Sequence, residues 1–411
     1  MHLFTARTSE ASRSAVRRLA LSRLISMAGT DASALAIGFS LYAKTHSAVW
    51  LSLSLFLSVG LGAVLAPLGG WLGDRFDRRR LMLGAELGSA ALFLVAAAMP
   101  VPAVLLGMSV PGALFGAIFG ASSGAAIAAI ASEDELAWAN AAIGVGSNIG
   151  KTAGRLLGGV LVAVLGASVV FLVDAATFLA SAALIATVVT PFGRAEPRVA
   201  EPAETGAAAG MRYLVSHPVL APVLTAACVS TLVTSFSMTA EVPLVHTLGA
   251  GAVALGVLTA CWGLGMVAGS WWSSKALHRG NEATGVVAGR AVMAAGIGLV
   301  ALTPAIGLVF ACYLVGGIGG GFMAAASQSL LQRNTPDALR ARVFGATDAA
   351  RNVAFGIGAL TAGFAVSAVG PQLTFGLVGV GVLVGLIPMV RLLNELGGPR
   401  SLRPAGAPAS A

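Results

Sequence analysis

The sequence predicts an all-α membrane protein with twelve transmembrane helices arranged as two six-helix pseudo-repeat bundles. Three observations carry that reading. Hydrophobic residues make up 57% of the chain against 10% charged, with a mean hydropathy of +0.87. Apolar runs long enough to cross a hydrocarbon core of about 30 Å, roughly 20 residues each, recur along nearly its whole length. The second half repeats features of the first at an offset of about 203 residues. Helices are required because a bilayer interior gives backbone groups no water to bond, and the runs lack the two-residue alternation of barrel strands.

In order, the spans fall at 19–43, 50–72, 81–100, 103–130, 139–165, 168–190, 219–247, 252–274, 285–306, 307–331, 344–368 and 371–392. The first follows Arg13, Arg17 and Arg18 without a small-residue cleavage site, so it reads as an uncleaved span. Spans four and five carry glycine every fourth residue, at Gly112, Gly116, Gly120 and Gly124 and at Gly146, Gly150, Gly154 and Gly158. Small residues at that spacing let helices approach closely where lipid supplies no hydrophobic drive. Residues 192–217, with Glu196, Pro197, Arg198, Glu201, Pro202 and Glu204, are too polar to span and read as a linker between bundles 1–191 and 218–411.

The repeat shows in several places. Glu133-Asp134-Glu135-Leu136 before span five answers Pro336-Asp337-Ala338-Leu339 before span eleven. Gly112 and Gly116 answer Gly316 and Gly320, and Gly154 and Gly159 answer Gly358 and Gly363.

Charge sets the expected orientation. Of 25 basic residues, all but Lys44, Lys151, Arg155, Arg290 and Arg351 lie in loops or ends on one side, which the positive-inside rule makes cytoplasmic along with both termini. This bias also accounts for the pI near 10.2, so the basic balance implies no nucleic-acid partner. Cys228, Cys261 and Cys312 stand singly in different spans, which points to packing and to neither disulfide nor metal chemistry.

Between spans two and three lies Gly70-Trp-Leu-Gly-Asp74-Arg75-Phe-Asp77-Arg78-Arg79-Arg80-Leu81. Its glycine, acid and arginine pattern resembles motif A of the major facilitator superfamily transporters. The resemblance implies the major facilitator fold, alternating access about a midplane site, and a conformational latch built from Gly70, Asp74, Arg75, Arg78 and Arg79 against Asp348 and Arg351 of span eleven. The alternative for the arginines is that they set topology and bind anionic lipid headgroups. Asp77 departs from a common glycine of the motif, and Gly269-Ser-Trp271-Trp272-Ser-Ser-Lys275 keeps only a remnant of it in the second half. Gly154-Arg155-Leu-Leu-Gly158-Gly159 resembles the antiporter motif of drug exporters with Arg155 in place of proline, and its glycines predict close packing against the other bundle.

Ionisable residues at membrane depth are costly and therefore functional candidates. Asp31 leads: it lies eight residues beyond Arg23, about 12 Å into the bilayer. It reads either as a proton-coupling or substrate-contacting carboxylate or as half of a static ion pair. The family fold packs helices one and five together, which makes Lys151 or Arg155 its partner; those cations alternatively hold an anionic part of the substrate. Glu241 of span seven is a further candidate. Glu86, Asp174 and Arg290 fall on helices that the resemblance places outside the central cavity, so structural pairing is expected of them. Trp262, Phe115, Phe119, Phe236 and Tyr313 are candidate walls for a lipophilic ligand.

Enzymatic chemistry is not expected. Gly120-Ala-Ser122-Ser-Gly124 matches a serine-hydrolase pattern but sits in an apolar helix, and His2, His46, His217, His246 and His278 lie in loops or at span ends. With no metal-ligand spacing and no phosphate-binding loop, uphill work would come from an ion gradient. The reading is a monomeric secondary transporter in a bacterial inner membrane that exports small amphipathic compounds, drug-like or siderophore-like, in exchange for protons, needs no cofactor and meets only lipid besides. The bacterial assignment rests on 22 Arg against 3 Lys with abundant Ala and Gly. Alternatives are a lipid-handling transporter, an uptake permease or facilitator for an anionic or zwitterionic solute, and a non-transporting membrane sensor or scaffold.

Overall fold

The computed structural model describes residues 2–188, 207–277 and 281–395. Twelve helices in it are long and apolar enough to cross a membrane. They are α1 (Ser12–Thr45), α2 (Ala48–Arg75), α3 (Arg78–Ala98), α4 (Pro102–Ile130), α5 (Glu133–Leu165) and α6 (Ala167–Ala186), then α7 (Leu220–Thr247), α8 (Ala252–Ala276), α9 (Glu282–Leu302), α10 (Ile306–Arg333), α11 (Asp337–Val369) and α12 (Pro371–Arg391). Each expected span meets one of these. One compact unit holds α1–α6 with Ala250–Val257, and the other holds the remaining helices.

Inside the first unit, α1 packs on α5 and α6, α3 on α6 and α4, and α2 on α4. Met82, Ile118, Phe119, Ile127 and Ile185 form its core. The second unit repeats the scheme, with α7 on α11 and α12, and α9 on α10 and α12. Large apolar side chains such as Val64, Val164, Leu264 and Phe364 stay exposed, as suits helices solvated by lipid tails.

The repeat is clearest where backbone geometry demands glycine. Gly166 ends α5 at φ 80° and ψ 167°, and Gly370 ends α11 at φ 82° and ψ 162°. That region is open to glycine almost alone, so both turns depend on it. The helices they end are each 33 residues long. Close approach repeats as well: a side chain on Gly154 would run into Ala28 O of α1, and one on Gly358 into Leu232 O of α7.

Three expectations about packing are corrected. The Gly154–Gly159 motif, read as packing against the other bundle, meets α8 at Gly159, where a Cβ would lie 2.8 Å from Ala252 O, but the four-residue stripe itself is turned on α1 of its own half. A Cβ on Gly146 would lie 2.7 Å from Ala20 O, and one on Gly158 would lie 2.6 Å from Ala32 Cα. The matching stripe on α4 makes no such contact: around Gly112, Gly116, Gly120 and Gly124 a Cβ would meet nothing within 4 Å. Finally, the last part of the stretch read as linker is helical. Residues 192–206 lie outside the described residues, but Ala207–Ser216 is a helix whose Leu214 is buried in the core of the second unit and whose Tyr213 hydroxyl donates to Asn334 O at 2.8 Å.

Candidate functional site

In the first half the leading carboxylate is paired. Asp31 Oδ1 accepts from Arg155 Nε at 2.7 Å, with the Asp31 side chain 11% exposed and that of Arg155 38% exposed. The glycine contacts of α5 place it: Gly154 and Gly158 bring α5 onto Ala28 and Ala32, the turns flanking Asp31. Lys151, one turn earlier, is exposed.

Behind this pair lies a polar layer shared by α1, α3 and α6. Glu86 is buried, accepts from Ser26 Oγ at 3.5 Å, and has the Arg23 guanidinium and the Ser181 hydroxyl beside it. Asp174 is fully buried and accepts from Thr177 Oγ1 at 3.0 Å. It sits against Gly29 of α1, where any Cβ would overlap Asp174 Oδ1 and Thr177 Oγ1. The sequence reading passed over the hydroxyls that serve this layer. Their signal on α1 is a stripe in which Ser26 and Ser33 face the carboxylates while Ser22 and Thr30 bond carbonyls of their own helix, all at the three- and four-residue spacing of one helix face.

The aromatic candidates divide between the halves. Phe119 is buried in the first core with the Arg23 guanidinium 5.1 Å from its ring centroid, and Phe115 packs where α3 offers Gly88. Both serve packing there. In the second half, the Tyr313 hydroxyl donates to Glu241 Oε1 at 3.2 Å. Trp262 stands edge-on to Tyr313 at 6.3 Å, and Phe375, which the sequence reading did not select, meets Tyr313 from α12 at 6.0 Å. Phe236 is half-buried on α7. Structural pairing was expected of Arg290 as well; it is buried, yet among the described residues it forms no ion pair.

The charged loop after α2 is built from local and capping contacts. Gly70 faces open space and Asp74 is exposed. Arg75 lies 4.7 Å from the Trp71 ring centroid, and Lys275 repeats the arrangement on Trp271 at 3.7 Å. Asp77 caps α3 by accepting from Arg80 N at 2.9 Å. Arg78 Nη1 donates to Ala125 O near the end of α4 at 3.3 Å, and Arg79 Nη2 donates to Ala186 O at the end of α6. Arg18 joins it there, donating to Thr187 O at 2.6 Å. At Ala186 and Thr187, cations so placed satisfy carbonyls that a helix end leaves open. On α11, Asp348 and Arg351 are exposed, and Arg351 Nε is 3.5 Å from Thr231 Oγ1 of α7.

Twelve helices long and apolar enough to cross a membrane, in two repeats with buried ion-paired and hydroxyl-lined groups among them, define a polytopic membrane protein. The chain belongs to the Major Facilitator Superfamily, whose sequence profile matches residues 19–358 and 285–410. Among curated proteins it is similar to the enterobactin exporter EntS of Shigella flexneri, 26% identical over 391 residues covering 93% of this chain and 92% of that one. It is also similar to the uncharacterized MFS-type transporter YfiS of Bacillus subtilis strain 168, 25% identical over 86% of each chain. The nucleoside transporter NupG shares the fold at a TM-score of 0.72 and 12% identity, over 92% of this chain and 98% of that structure.

Proposed function

We propose that this protein is a secondary active exporter that moves small amphipathic compounds, siderophore-like or drug-like, across a bacterial inner membrane by alternating access in exchange for protons. The observation that carries the reading is the Asp31–Arg155 pair, a carboxylate and a guanidinium joined at 2.7 Å between two helices at membrane depth. Such a pair offers two states: closed as an ion pair, or opened when the carboxylate takes a proton or the guanidinium takes an anionic group of the solute. Resemblance over nearly its full length to a protein named as an enterobactin exporter supports outward transport of a compound of that class. Because Arg155 is engaged with Asp31, Lys151 is the cation of α5 left to meet an anionic solute. In the same reading both termini are cytoplasmic, Asp74 and the α11 pair Asp348 and Arg351 act as the latch, and the working unit is a monomer.

Reconstituted vesicles containing a pH-sensitive dye test this. Adding a panel of siderophore-like and lipophilic solutes under an imposed proton gradient should give solute-dependent proton flux with the native chain and little with Asp31→Asn. Unchanged gradient-driven flux in Asp31→Asn would refute the coupling, and gradient-independent movement in the native chain would identify a facilitator.

A further inference from the structure

The second half holds a buried cation that its surroundings do not neutralise. Arg290, on α9, is 1% exposed. Its Nη2 rests on Met323 Sδ at 3.7 Å, while Nε and Nη1 have no hydrogen-bond partner. Counting from Glu282, it lies eight residues into α9, about 12 Å at the helical rise per residue.

Among the described residues, the helices around it supply no carboxylate for those nitrogens. From α10, packed along α9, the one charged residue is Arg333, already paired with Glu282 at 2.9 Å. From α12 it is Arg391, which is exposed. On α7, Glu241 is held by Tyr313, and the group that faces Arg290 is the Cys228 thiol. On α11, Asp348 is exposed and the residue acting on Arg290 is Arg351, a like charge.

The repeat makes the imbalance plain. Arg290 follows Glu86 by the interval that separates Gly370 from Gly166. In the first half Glu86 has Arg23 beside it; at the place that matches Arg23 the second half has Ala227. The charge at the α9 position is reversed and its opposite number is missing.

A buried carboxylate can be neutralised by a proton, but a guanidinium stays charged at any working pH. An uncompensated ion at this depth is costly. Two unbonded N–H directions at buried Arg290, with the like charge of exposed Arg351 acting on it, leave two cations whose missing component is negative. We propose that Arg290 and Arg351 bind a small anion within the second half, either a free halide-like ion or the carboxylate-like group of a transported solute. This goes beyond the proton-coupled export reading and does not depend on it.

The test is thermal unfolding of the full-length purified protein in detergent at constant ionic strength, with gluconate replaced stepwise by chloride, by acetate or by benzoate. The native chain should show a saturable rise in Tm of about 3 °C or more with at least one of them. A response to chloride and acetate identifies a free small-anion site; a response to benzoate alone identifies the anionic end of a larger solute. Arg290→Met should lose the response, while remaining at least as stable as the native chain in gluconate because an apolar side chain of similar length replaces the unpaired charge. Arg290→Lys and Arg351→Gln should keep the response but weaken it roughly tenfold in half-saturating concentration, since each retains only part of the fork. Asp31→Asn should respond like the native chain, so failure of the coupling hypothesis leaves this outcome readable. A native chain indifferent to all three anions, as expected if water alone solvates Arg290, would overturn the proposal. So would an equal response in native and Arg290→Met protein.

Discussion

Arg155 of α5 reaches Asp31 of α1 between two points where the helix backbones touch, Gly154 against Ala28 and Gly158 against Ala32. The ion pair and the glycine contacts are therefore one unit: remove the close approach and the charges separate; remove one charge and the other is stranded between tightly packed helices. Asp31→Asn should lower stability by about 1–3 kcal/mol, less than for a fully enclosed pair because Arg155 keeps some solvent access. Arg155→Gln should cost a similar amount, and the double variant should recover much of the loss. Unfolding midpoints for the four proteins form a double-mutant cycle, and simple additivity would show that the pair contributes nothing to stability.

The glycine contacts lead to a second expectation, a contrast between two stripes that look alike in sequence. Gly154→Ala puts a methyl group into Ala28 O, and Gly358→Ala does the same to Leu232 O in the second half. Each should destabilise by roughly 2–4 kcal/mol, as backbone cannot move aside as a side chain can. Gly120→Ala and Gly124→Ala meet nothing within 4 Å and should be neutral or stabilising by up to about 1 kcal/mol through helix propensity. Differential scanning fluorimetry on the four single variants separates the groups; equal losses in both would contradict the packing described.

That contrast shows where sequence reading stops for this fold. The twelve spans were legible because lipid imposes length and apolarity on each helix separately. The spacing of Gly146, Gly150, Gly154 and Gly158 announced a close contact, yet the identical spacing in α4 faces open space, since spacing says nothing about what stands opposite. At Asp31 the need for a partner was readable from depth alone. The choice of Arg155 over Lys151 was not, for the two differ by one helical turn and only the packed helices select between them. The arginines after α2 were read as latch or lipid contacts. That Arg78 bonds a carbonyl of α4 and Arg79 caps the end of α6 depends on residues 47 and 107 positions away. Ala207–Ser216 was taken for linker along with the polar, proline-containing stretch before it, and its place in the core comes from Leu214.

The turns after α5 and α11 give a third prediction. Gly166 and Gly370 hold φ near +80° with open space where a Cβ would sit, so substitution there meets backbone strain and no clash. Alanine at either should cost about 1–3 kcal/mol, and the two costs should match within about 0.5 kcal/mol and add in the double variant, the sites being far apart in sequence and equivalent in the repeat. Unequal losses would mean that the repeat does not extend to the energetics of its turns.

The start of α7 supplies a prediction in pH. His217 Nδ1 accepts from Val219 N at 3.2 Å and Leu220 N at 3.4 Å, satisfying amides that the helix start leaves open. Burial disfavours the charged ring, so the folded protein holds the pKa of His217 below its ordinary 6.5, and only the neutral ring has the lone pair that those amides use. With the folded value below the unfolded one, the unfolded chain takes up the proton first as pH falls. The contribution of His217 is therefore complete above about pH 6.5 and declines below it, until the folded form too is protonated. Unfolding midpoints of native protein and His217→Asn, measured from pH 7.5 to 5, should run parallel at the upper end and converge toward the lower, since asparagine caps without titrating. A constant difference across that range would show that the imidazole nitrogen is not the acceptor that begins the helix.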